Sequence, residues 1–319
     1  MAGGDRPTVL LIGLGNIGFR HLQGLASMAM DIRLVGVDLN PEAVKRASAA
    51  WLALPGAQGV FTAAVPNVPT PDLAIVATSA RGRDELTLGL LGHDAKKLVL
   101  EKVVFDRPEA FARVQDGLDR HHAQAFVNCP RRLWPIYQRL ESLRLQAGGP
   151  IHLTVSGRAL GFACNAVHFI DLLQFLSGES DVTATAKYVS LPWPSKRAGF
   201  FEVWCDAKFS TPGGATLHLT VTPDAPETAE ITAELSGDRI SVTEAGGLLV
   251  SRNRGTGTFG RAPFQSELSA LFSAPLLLGR EPSLPSLSVS AKAHRALFDV
   301  LIPSVQAAGL MDDGALPIT

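Results

Sequence analysis

The feature that most constrains this chain is a glycine-rich turn close to its start. Residues Gly13–Gly18 match the pattern G-x-G-x-x-G, directly after the apolar run Thr8–Ile12 and before the helical pattern of Phe19–Met28. The first glycine allows a tight turn from strand to helix, the second lets a phosphate approach the backbone, and the third lets helix and strand pack closely. Because a helix N-terminus also attracts anions, the segment predicts a strand–turn–helix unit that binds a dinucleotide.

Strands and helices alternate over the first 125 residues. The predicted strands are Thr8–Ile12, Ile32–Asp38, Asp72–Ala77 (after a turn at Pro66–Pro71), Lys97–Val104 and Ala123–Asn128. The predicted helices are Phe19–Met28, a helix that starts at Asn40 and Pro41, Arg83–Leu91 and Pro108–His121. This alternation is typical of a doubly wound parallel sheet, so residues 1–125 are predicted to form an α/β Rossmann domain.

The pattern changes after about residue 130. Apolar and polar residues alternate in six strand-like segments, at Ile151–Arg158, Thr183–Val189, Glu202–Ser210, Ala215–Thr222, Ala229–Leu235 and Arg239–Thr243. Residues 126–319 are therefore predicted to form an α+β domain with a large, mostly antiparallel open sheet. It includes a helix at Asn165–Leu176 and a mobile loop at Asn253–Phe264. A last helix, about Ser286–Leu301, is expected to pack back on the first domain.

Charge and cysteine content exclude several classes of partner. The 319 residues carry 29 Lys and Arg against 30 Asp and Glu, a net charge of −1. Such a chain lacks the basic patch of a nucleic-acid-binding protein. No apolar run reaches the roughly 18 residues of a membrane span. The three cysteines are too few and too scattered for a disulfide framework or a zinc cluster, so a cytoplasmic location and no metal site are expected. The uncovered face of the predicted sheet predicts a homodimer or homotetramer.

An acidic residue follows the glycine turn at the spacing of a ribose ligand. Asp38 ends the second predicted strand, 38 − 13 = 25 positions after Gly13. A carboxylate there accepts hydrogen bonds from the adenosine ribose and repels a 2′-phosphate, which favours NAD over NADP. The alternative is that Arg20 or Arg33 approaches a 2′-phosphate.

Four segments together resemble the glucose–fructose oxidoreductase/inositol dehydrogenase (Gfo/Idh/MocA) family. They are Gly13–His21, a strand that ends in Ala77 and Thr78, the pair Glu101–Lys102, and a helix segment with a His-x-x-Asp pair, Asn165–Leu173. The resemblance spans essentially the whole chain. It implies an N-terminal nucleotide-binding domain, a C-terminal domain whose sheet forms subunit contacts, and NAD(P)-dependent oxidation or reduction of sugars, sugar nucleotides or cyclitols.

The chain departs from the family pattern at three positions. Val103 replaces the proline of the Glu-Lys-Pro motif, and Arg83 stands roughly where a histidine follows the Thr-Pro segment. Cys164 occupies the position, four residues before the helix histidine, where many members have an aspartate. These departures weaken the prediction of a catalytic aspartate more than they weaken the resemblance to the family.

Three residues are predicted to carry the chemistry. Lys102 follows a parallel strand at its carboxyl end, where an ammonium group stabilises negative charge on a substrate oxygen. His168 titrates near neutrality and can accept or return the hydroxyl proton. Asp171 lies three residues further on the helix and would orient the imidazole or contact the substrate. The structural alternatives are a surface lysine, a core histidine, and an aspartate in a cap or salt bridge.

The remaining candidates divide between cofactor and substrate. The cofactor-binding residues are predicted to be Gly13, Gly15, Asn16, Ile17, Gly18, Asp38, Thr78 and Glu101. The substrate-binding residues are predicted to be Arg83, Arg131, Arg132, Cys164 and Asn165. Because guanidinium groups bind carboxylate and phosphate in bidentate fashion, the two adjacent arginines favour an anionic substrate. An interdomain salt bridge is the alternative for these arginines.

The sequence thus predicts an enzyme, an NAD-dependent oxidoreductase that moves hydride between nicotinamide and a secondary alcohol or ketone of a sugar, sugar derivative or cyclitol. Two alternatives stay open. One is a cofactor-binding sensor or assembly protein without turnover, and the other is an enzyme with tightly bound NAD that performs internal redox chemistry, as an epimerase or hydrolase does.

Overall fold

The computed structural model describes residues 6–63 and 70–318, so the larger part of the turn predicted at Pro66–Pro71 lies outside the described residues. The chain divides into two compact units. The first comprises the chain up to Phe105, Glu109–Asn128 and the later segment Pro263–Leu287. The second comprises Asp106–Pro108, Cys129–Ala262 and Ser288–Thr319.

Six parallel strands form the sheet in the described part of the first unit, in the order β3-β2-β1-β4-β5-β6. The strands are β1 (Thr8–Ile12), β2 (Arg33–Val37), β3 (Gln58–Thr62), β4 (Leu73–Val76), β5 (Lys97–Leu100) and β6 (Gln124–Val127). The helices between them are α1 (Asn16–Ala26), α2 (Pro41–Leu52), α3 (Arg83–Gly92) and α4 (Glu109–Arg120). The predicted Rossmann sheet is confirmed. Every residue of β1 and β4 is buried, as expected for central strands covered on both faces.

Two details of this sheet differ from the prediction. Strand β3 was not predicted, because it is a partly exposed edge strand that contains Gly59 and lacks an apolar run. Strand β5 ends at Leu100 instead of Val104. The carbonyl groups of Val103 and Val104 accept hydrogen bonds from the Arg83 guanidinium, at 2.6 and 2.8 Å.

A helix from far along the chain completes the first unit. Helix α7 (Gln265–Leu277) packs against α1, where a side chain at Gly24 would come within 2.7 Å of the Ser269 Cβ atom. The sequence did not predict α7. Its apolar residues lie on more than one side, since Leu268 is buried while Leu271 is 53% exposed, and Pro275 lies inside it. A one-sided apolar pattern, on which helix prediction depends, is therefore missing.

The second unit contains an eight-stranded sheet among its described residues, in the order β16-β15-β14-β13-β7-β12-β11-β8. All neighbours pair antiparallel except β7 and β12. These strands are β7 (Ile151–Ser156), β8 (Thr183–Val189), β11 (Cys205–Ser210), β12 (Thr216–Val221), β13 (Glu230–Leu235), β14 (Asp238–Thr243), β15 (Leu248–Ser251) and β16 (Gly255–Thr258). A separate short ladder joins β9 (Trp193–Pro194) and β10 (Phe201–Glu202). The predicted large, mostly antiparallel sheet is confirmed.

Three helices accompany this sheet: α5 (Pro135–Ala147), α6 (Phe162–Ser177) and α8 (Leu287–Ala307). All of α8 after Leu287 belongs to the second unit, and the preceding segment Pro263–Leu287 belongs to the first. The predicted loop Asn253–Phe264 is also partly wrong, because Gly255–Thr258 forms β16 and pairs with β15.

None of the helices in the described ranges is long and apolar enough to span a membrane.

Candidate functional site

The three glycines of the turn have different steric surroundings. Gly13 has φ +88°, and a Cβ atom there would lie 2.7 Å from the Ala77 carbonyl carbon. At Gly18 a Cβ atom would lie 1.7 Å from the Gly13 carbonyl oxygen. At Gly15, by contrast, it would meet no protein atom within 4 Å. The first and third glycines are thus required by packing, while the second leaves open backbone before α1, which fits the approach of a pyrophosphate.

Asp38 supports this turn from the end of β2. Its carboxylate accepts hydrogen bonds from the backbone N–H groups of Leu14, at 2.6 Å, and Asn40, at 2.8 Å. It therefore fixes the glycine turn and places negative charge beside it. Arg33 begins β2, and five residues of strand separate the two by about 16 Å, so Arg33 cannot replace Asp38 as the residue facing an adenosine ribose.

Arg46 is a neighbour of the turn that the sequence did not point to. Its Nη2 atom donates to the Leu14 carbonyl at 3.0 Å, and its guanidinium carbon lies 4.6 Å from the centre of the Phe19 ring. No spacing rule in the sequence links α2 to the glycine turn. Asn16 and Ile17, both predicted to bind cofactor, are exposed in the first turn of α1.

The segments after β4 and β5 reach the same edge of the sheet as the glycine turn, because the carboxyl ends of parallel strands lie together. Thr78 is half-buried, and its backbone nitrogen lies 2.8 Å from where a Cβ atom of Gly13 would stand. Lys102 is half-buried just after β5, and its peptide bond to Val103 is cis. The structure thus brings the glycine turn, Thr78 and Lys102 to one edge.

Glu101 does not have the role we expected. It is only 6% exposed, and its Oε1 atom is held by His21 Nε2 at 2.8 Å and by the Asn128 side-chain amide at 2.5 Å. Burial raises the pKa of Glu101, but these hydrogen bonds and the nearby charges of His21 and Lys102 outweigh it and leave the pKa below its ordinary value. The assignment of Glu101 to the cofactor is therefore replaced by a buried, charged position next to Lys102.

Arg83 also has a structural role where a substrate contact was predicted. Its side chain is 2% exposed, and its guanidinium donates to the carbonyl oxygens of Thr78, Glu101, Val103 and Val104. These bonds tie the segment after β4 to the segment that carries Lys102. A buried arginine engaged in this way cannot bind a substrate.

In the second unit, a carboxylate that the sequence did not single out caps α6. Glu202 is 6% exposed and accepts hydrogen bonds from the backbone N–H groups of Ala163, at 2.8 Å, and Cys164, at 3.3 Å. Because a helix N-terminus stabilises negative charge, Glu202 holds the start of the helix that carries His168. Its signal in the sequence is weak, since it lies 38 residues from Cys164.

His168 shares one side of α6 with Cys164 and Asn165. These three residues are half-buried, whereas most of their neighbours on the helix are buried. The Asn165 amide donates to the Leu160 carbonyl at 2.5 Å. The predicted trio of His168, Asn165 and Cys164 therefore lies on one helix face, as the spacing required.

Asp171 lies about two turns after Cys164 on α6, on the same side of the helix. It is fully buried and accepts hydrogen bonds from Arg132 Nε, at 2.9 Å, and from Nη2, at 2.7 Å. Burial raises the pKa of Asp171 above its ordinary value, against the opposing effect of Arg132. The structure shows the salt bridge that the sequence left open as an alternative. We predicted that Asp171 takes part in catalysis and that Arg132 binds substrate, but each side chain is occupied by the other.

Arg131 is paired as well. It donates to Glu244 at 2.8 and 3.3 Å, and the Tyr137 hydroxyl donates to the same carboxylate at 2.6 Å. Its guanidinium also lies 4.3 Å from the centre of the Phe169 ring. Because both arginines are paired with carboxylates within the second unit, they do not by themselves favour an anionic substrate. Within the described ranges, no group of three or more His, Cys, Asp or Glu residues is arranged to hold a metal ion.

Comparisons with known structures show the fold. An oxidoreductase from Agrobacterium radiobacter, in complex with NAD+, L-tartaric acid and magnesium, aligns with a TM-score of 0.73 at 15% identity over 95% of this chain and 97% of its own. A Gfo/Idh/MocA family oxidoreductase from Vibrio cholerae aligns with a TM-score of 0.72 at 16% identity, over 95% and 99%. The WlbA dehydrogenase from Bordetella pertussis, in complex with NADH and UDP-GlcNAcA, aligns with a TM-score of 0.68 at 18% identity, over 96% and 97%.

Sequence comparison identifies the first unit more closely. No curated protein matches the sequence. Residues 8–129, from β1 to just after β6, match the model of the Gfo/Idh/MocA oxidoreductase family for its NAD-binding Rossmann fold. The first unit is therefore similar in sequence to the NAD-binding Rossmann fold of the Gfo/Idh/MocA oxidoreductases.

Proposed function

We propose that this protein transfers hydride between NAD and a secondary alcohol or ketone of a sugar, a sugar derivative or a cyclitol. One observation carries the proposal: Lys102 stands half-buried at the same sheet edge as a glycine turn whose central glycine is open to a phosphate. NAD, when bound, accepts or returns the hydride at its nicotinamide ring. The chain has to hold the cofactor, orient the carbon that reacts, and move one proton.

The first unit supplies binding and charge. The glycine turn and the N-terminus of α1 hold the pyrophosphate, and Asp38 accepts from the adenosine ribose hydroxyls. The Lys102 ammonium group donates to the substrate oxygen and stabilises the negative charge that develops there as the C–H bond breaks. Glu101 and Arg83 do not touch the substrate in this scheme. They fix the segment that presents Lys102.

The second unit supplies the proton acceptor. His168 takes the hydroxyl proton during oxidation and returns it during reduction, for which an imidazole is suited at neutral pH. The Asn165 side chain, one turn earlier on the same face, provides an amide for substrate hydroxyls. Glu202, by holding the first turn of α6, keeps this face in place.

The substrate class follows from hydroxyl recognition rather than from charge. Arg131 and Arg132 are each committed to a carboxylate, so they provide no net positive charge for an acidic group. A neutral, polyhydroxylated substrate therefore fits the described residues better than an acidic sugar.

One observation favours a second function, NAD binding without turnover. Asp171 is fully buried against Arg132, and Cys164 stands where many relatives carry an aspartate, so neither offers His168 an exposed carboxylate partner. A sensor that binds NAD and a polyol without moving hydride would need only the binding surfaces. We consider this function second because the Lys102 position is retained.

Two measurements decide between these functions. Calorimetry with NAD+ and NADP+ should show binding that is tighter for NAD+, and a panel of neutral sugars and cyclitols with NAD+ should produce NADH, followed by its absorbance. Lys102→Met, which keeps the length and removes the charge, should lower kcat by about 100-fold or more. Lys45→Met, on the exposed side of α2, is the control and should not change kcat.

Binding of both nucleotides without turnover on any compound would support the sensor. No binding of either nucleotide would contradict both functions.

We also propose that the chain forms a homodimer or homotetramer through the open sheet of the second unit. Tyr188 on β8 and Val250 on β15 are 50% and 42% exposed. Light scattering of the purified protein, with Tyr188→Lys as the variant, tests this. A monomer in both proteins would contradict it.

A further inference from the structure

A buried polar network surrounds Glu101, the residue just before Lys102. His21 on α1 hydrogen-bonds Glu101 through Nε2 at 2.8 Å and Ser269 on α7 through Nδ1 at 2.9 Å. Asn128, at the end of β6, donates to Glu101 at 2.5 Å and to Gln265 on α7 at 2.9 Å. All of these groups belong to the first unit.

The network is built from segments far apart in the sequence. His21 and Ser269 are 248 residues apart, and Asn128 and Gln265 are 137 residues apart. Gln265 also donates to the Ser269 hydroxyl at 3.2 Å, which closes the network on the α7 side. The close approach of α7 depends on Gly24, because any side chain there would meet Ser269. A distant part of the chain thus returns to hold a single carboxylate.

A buried carboxylate is costly unless its charge is compensated, and the partners here do not cancel it with a permanent cation. The titratable and charged groups around Glu101 are His21 on α1, Arg83 on α3, which bonds the Glu101 carbonyl, and Lys102 in the same segment. The groups from β6 and α7 are neutral amides and a hydroxyl. Glu101 therefore depends on these hydrogen bonds to remain in the core next to the segment that carries Lys102.

We propose that His21, Asn128, Gln265 and Ser269 are positioning residues that fix Glu101, and that Glu101 in turn holds the segment that presents the Lys102 side chain. The inference rests on the proposed function in one respect, since that function is what gives Lys102 a role at the substrate. Its geometry does not depend on the substrate. It assigns a role to α7, a helix that contributes no residue to the glycine turn.

The experiment is competitive acetylation of the folded full-length protein with acetic anhydride, read by peptide mass spectrometry, with exposed Lys45 as the internal reference. Only the uncharged amine reacts. Glu101→Gln keeps the side-chain size and removes the charge. We expect the labelling of Lys102 relative to Lys45 to rise about threefold at both about pH 7 and about pH 10, because weaker hydrogen bonds to residue 101 hold the segment that presents Lys102 less firmly.

Helix α7 provides a matched pair of variants for the positioning part. Ser269 and Ser273 are both fully buried one turn apart, but the Ser273 hydroxyl has no hydrogen-bond partner among the described residues. Ser269→Ala should raise Lys102 labelling about twofold to threefold at both pH values, because it frees the segment without removing the charge. Ser273→Ala should leave it unchanged.

Two results would overturn the proposal. One is wild-type labelling of Lys102 in folded Glu101→Gln at both pH values, and the other is equal effects of Ser269→Ala and Ser273→Ala. If Glu101→Gln does not fold, the serine pair decides. Labelling needs neither substrate nor NAD. If the labelling follows the prediction but the protein turns over no substrate, the network is supported and the dehydrogenase function is contradicted. If the protein turns over substrate but the variants label like the wild type, the function is supported and the network is contradicted.

Discussion

Two buried carboxylates, one in each unit, are stabilised in different ways. Glu101 in the first unit is held by an imidazole and an amide, and its pKa lies below the ordinary value. Asp171 in the second unit is held by the Arg132 guanidinium, yet burial leaves its pKa above the ordinary value. Asp171 is thus paired with a permanent cation, whereas the hydrogen bonds to the Glu101 carboxylate come from an imidazole and an amide. The difference separates a carboxylate that stabilises the fold from one that supports a site.

The largest effect on the free energy of unfolding is expected when Arg132, the cation paired with Asp171, is removed. Arg132→Met leaves Asp171 ionised and unpaired in the core, which should lower the free energy of unfolding by about 3–5 kcal/mol. Urea unfolding followed by circular dichroism measures this. The double variant Arg132→Met/Asp171→Leu should recover most of the loss. A single variant as stable as the wild type would show that Asp171 is not charged in the fold.

A smaller effect is expected in the first unit. His21→Leu removes one hydrogen-bond partner of Glu101 while Asn128 remains, so the free energy of unfolding should fall by about 1–3 kcal/mol. The same urea measurement applies, with Ser273→Ala as the control for a change in the nearby core. A loss as large as that of Arg132→Met would erase the distinction between the two carboxylates.

The pH dependence of stability should have opposite signs at the two carboxylates. The pKa of Glu101 is below its ordinary 4.5, so its ionised form stabilises the fold above pH 4.5 and this contribution is lost as the pH falls through the folded value. As the pH falls below 4.5, the difference in free energy of unfolding between the wild type and Glu101→Gln should therefore become smaller. The pKa of Asp171 is above its ordinary 3.8, so wild type should lose stability relative to Asp171→Asn as the pH rises above 3.8.

Unfolding curves of the two variants and the wild type across this pH range provide the test. If the stability difference between wild type and variant changed with pH in the same direction at Glu101 and at Asp171, the two carboxylates would not differ in environment as we describe.

Much of the fold was predictable because its signals are local. The glycine turn after β1, the buried runs of β1 and β4, and Asn40 as the cap of α2, which accepts from the Glu42 N–H at 3.0 Å, all depend on neighbours in the sequence. The resemblance of residues 8–129 to the NAD-binding fold of the Gfo/Idh/MocA family was predicted from local motifs and is confirmed. Helix α7 was missed because its apolar residues do not share one face and a proline interrupts it.

The partners of the site residues were less predictable because they come from distant segments. Arg131 and Arg132 show the same local pattern whether they bind a substrate or a carboxylate, and only the fold brings Glu244 and Asp171 to them. Arg83 occupies the position of a substrate-facing residue in the family pattern, but its length lets it reach back to backbone carbonyl groups. Glu101 was predicted to bind the cofactor, because its hydrogen bonds to His21 and Asn128, and through them to α7, have no signal in the sequence.

The most direct test of the NAD site uses Gly15 itself. A Cβ atom at Gly15 meets no protein atom within 4 Å, so Gly15→Val should leave the free energy of unfolding within about 0.5 kcal/mol of the wild type. The added side chain fills the space that a pyrophosphate needs, and calorimetry should therefore show a Kd for NAD+ raised by at least about tenfold. A folded Gly15→Val protein that binds NAD+ as tightly as the wild type would contradict the assignment of the glycine turn as the cofactor site.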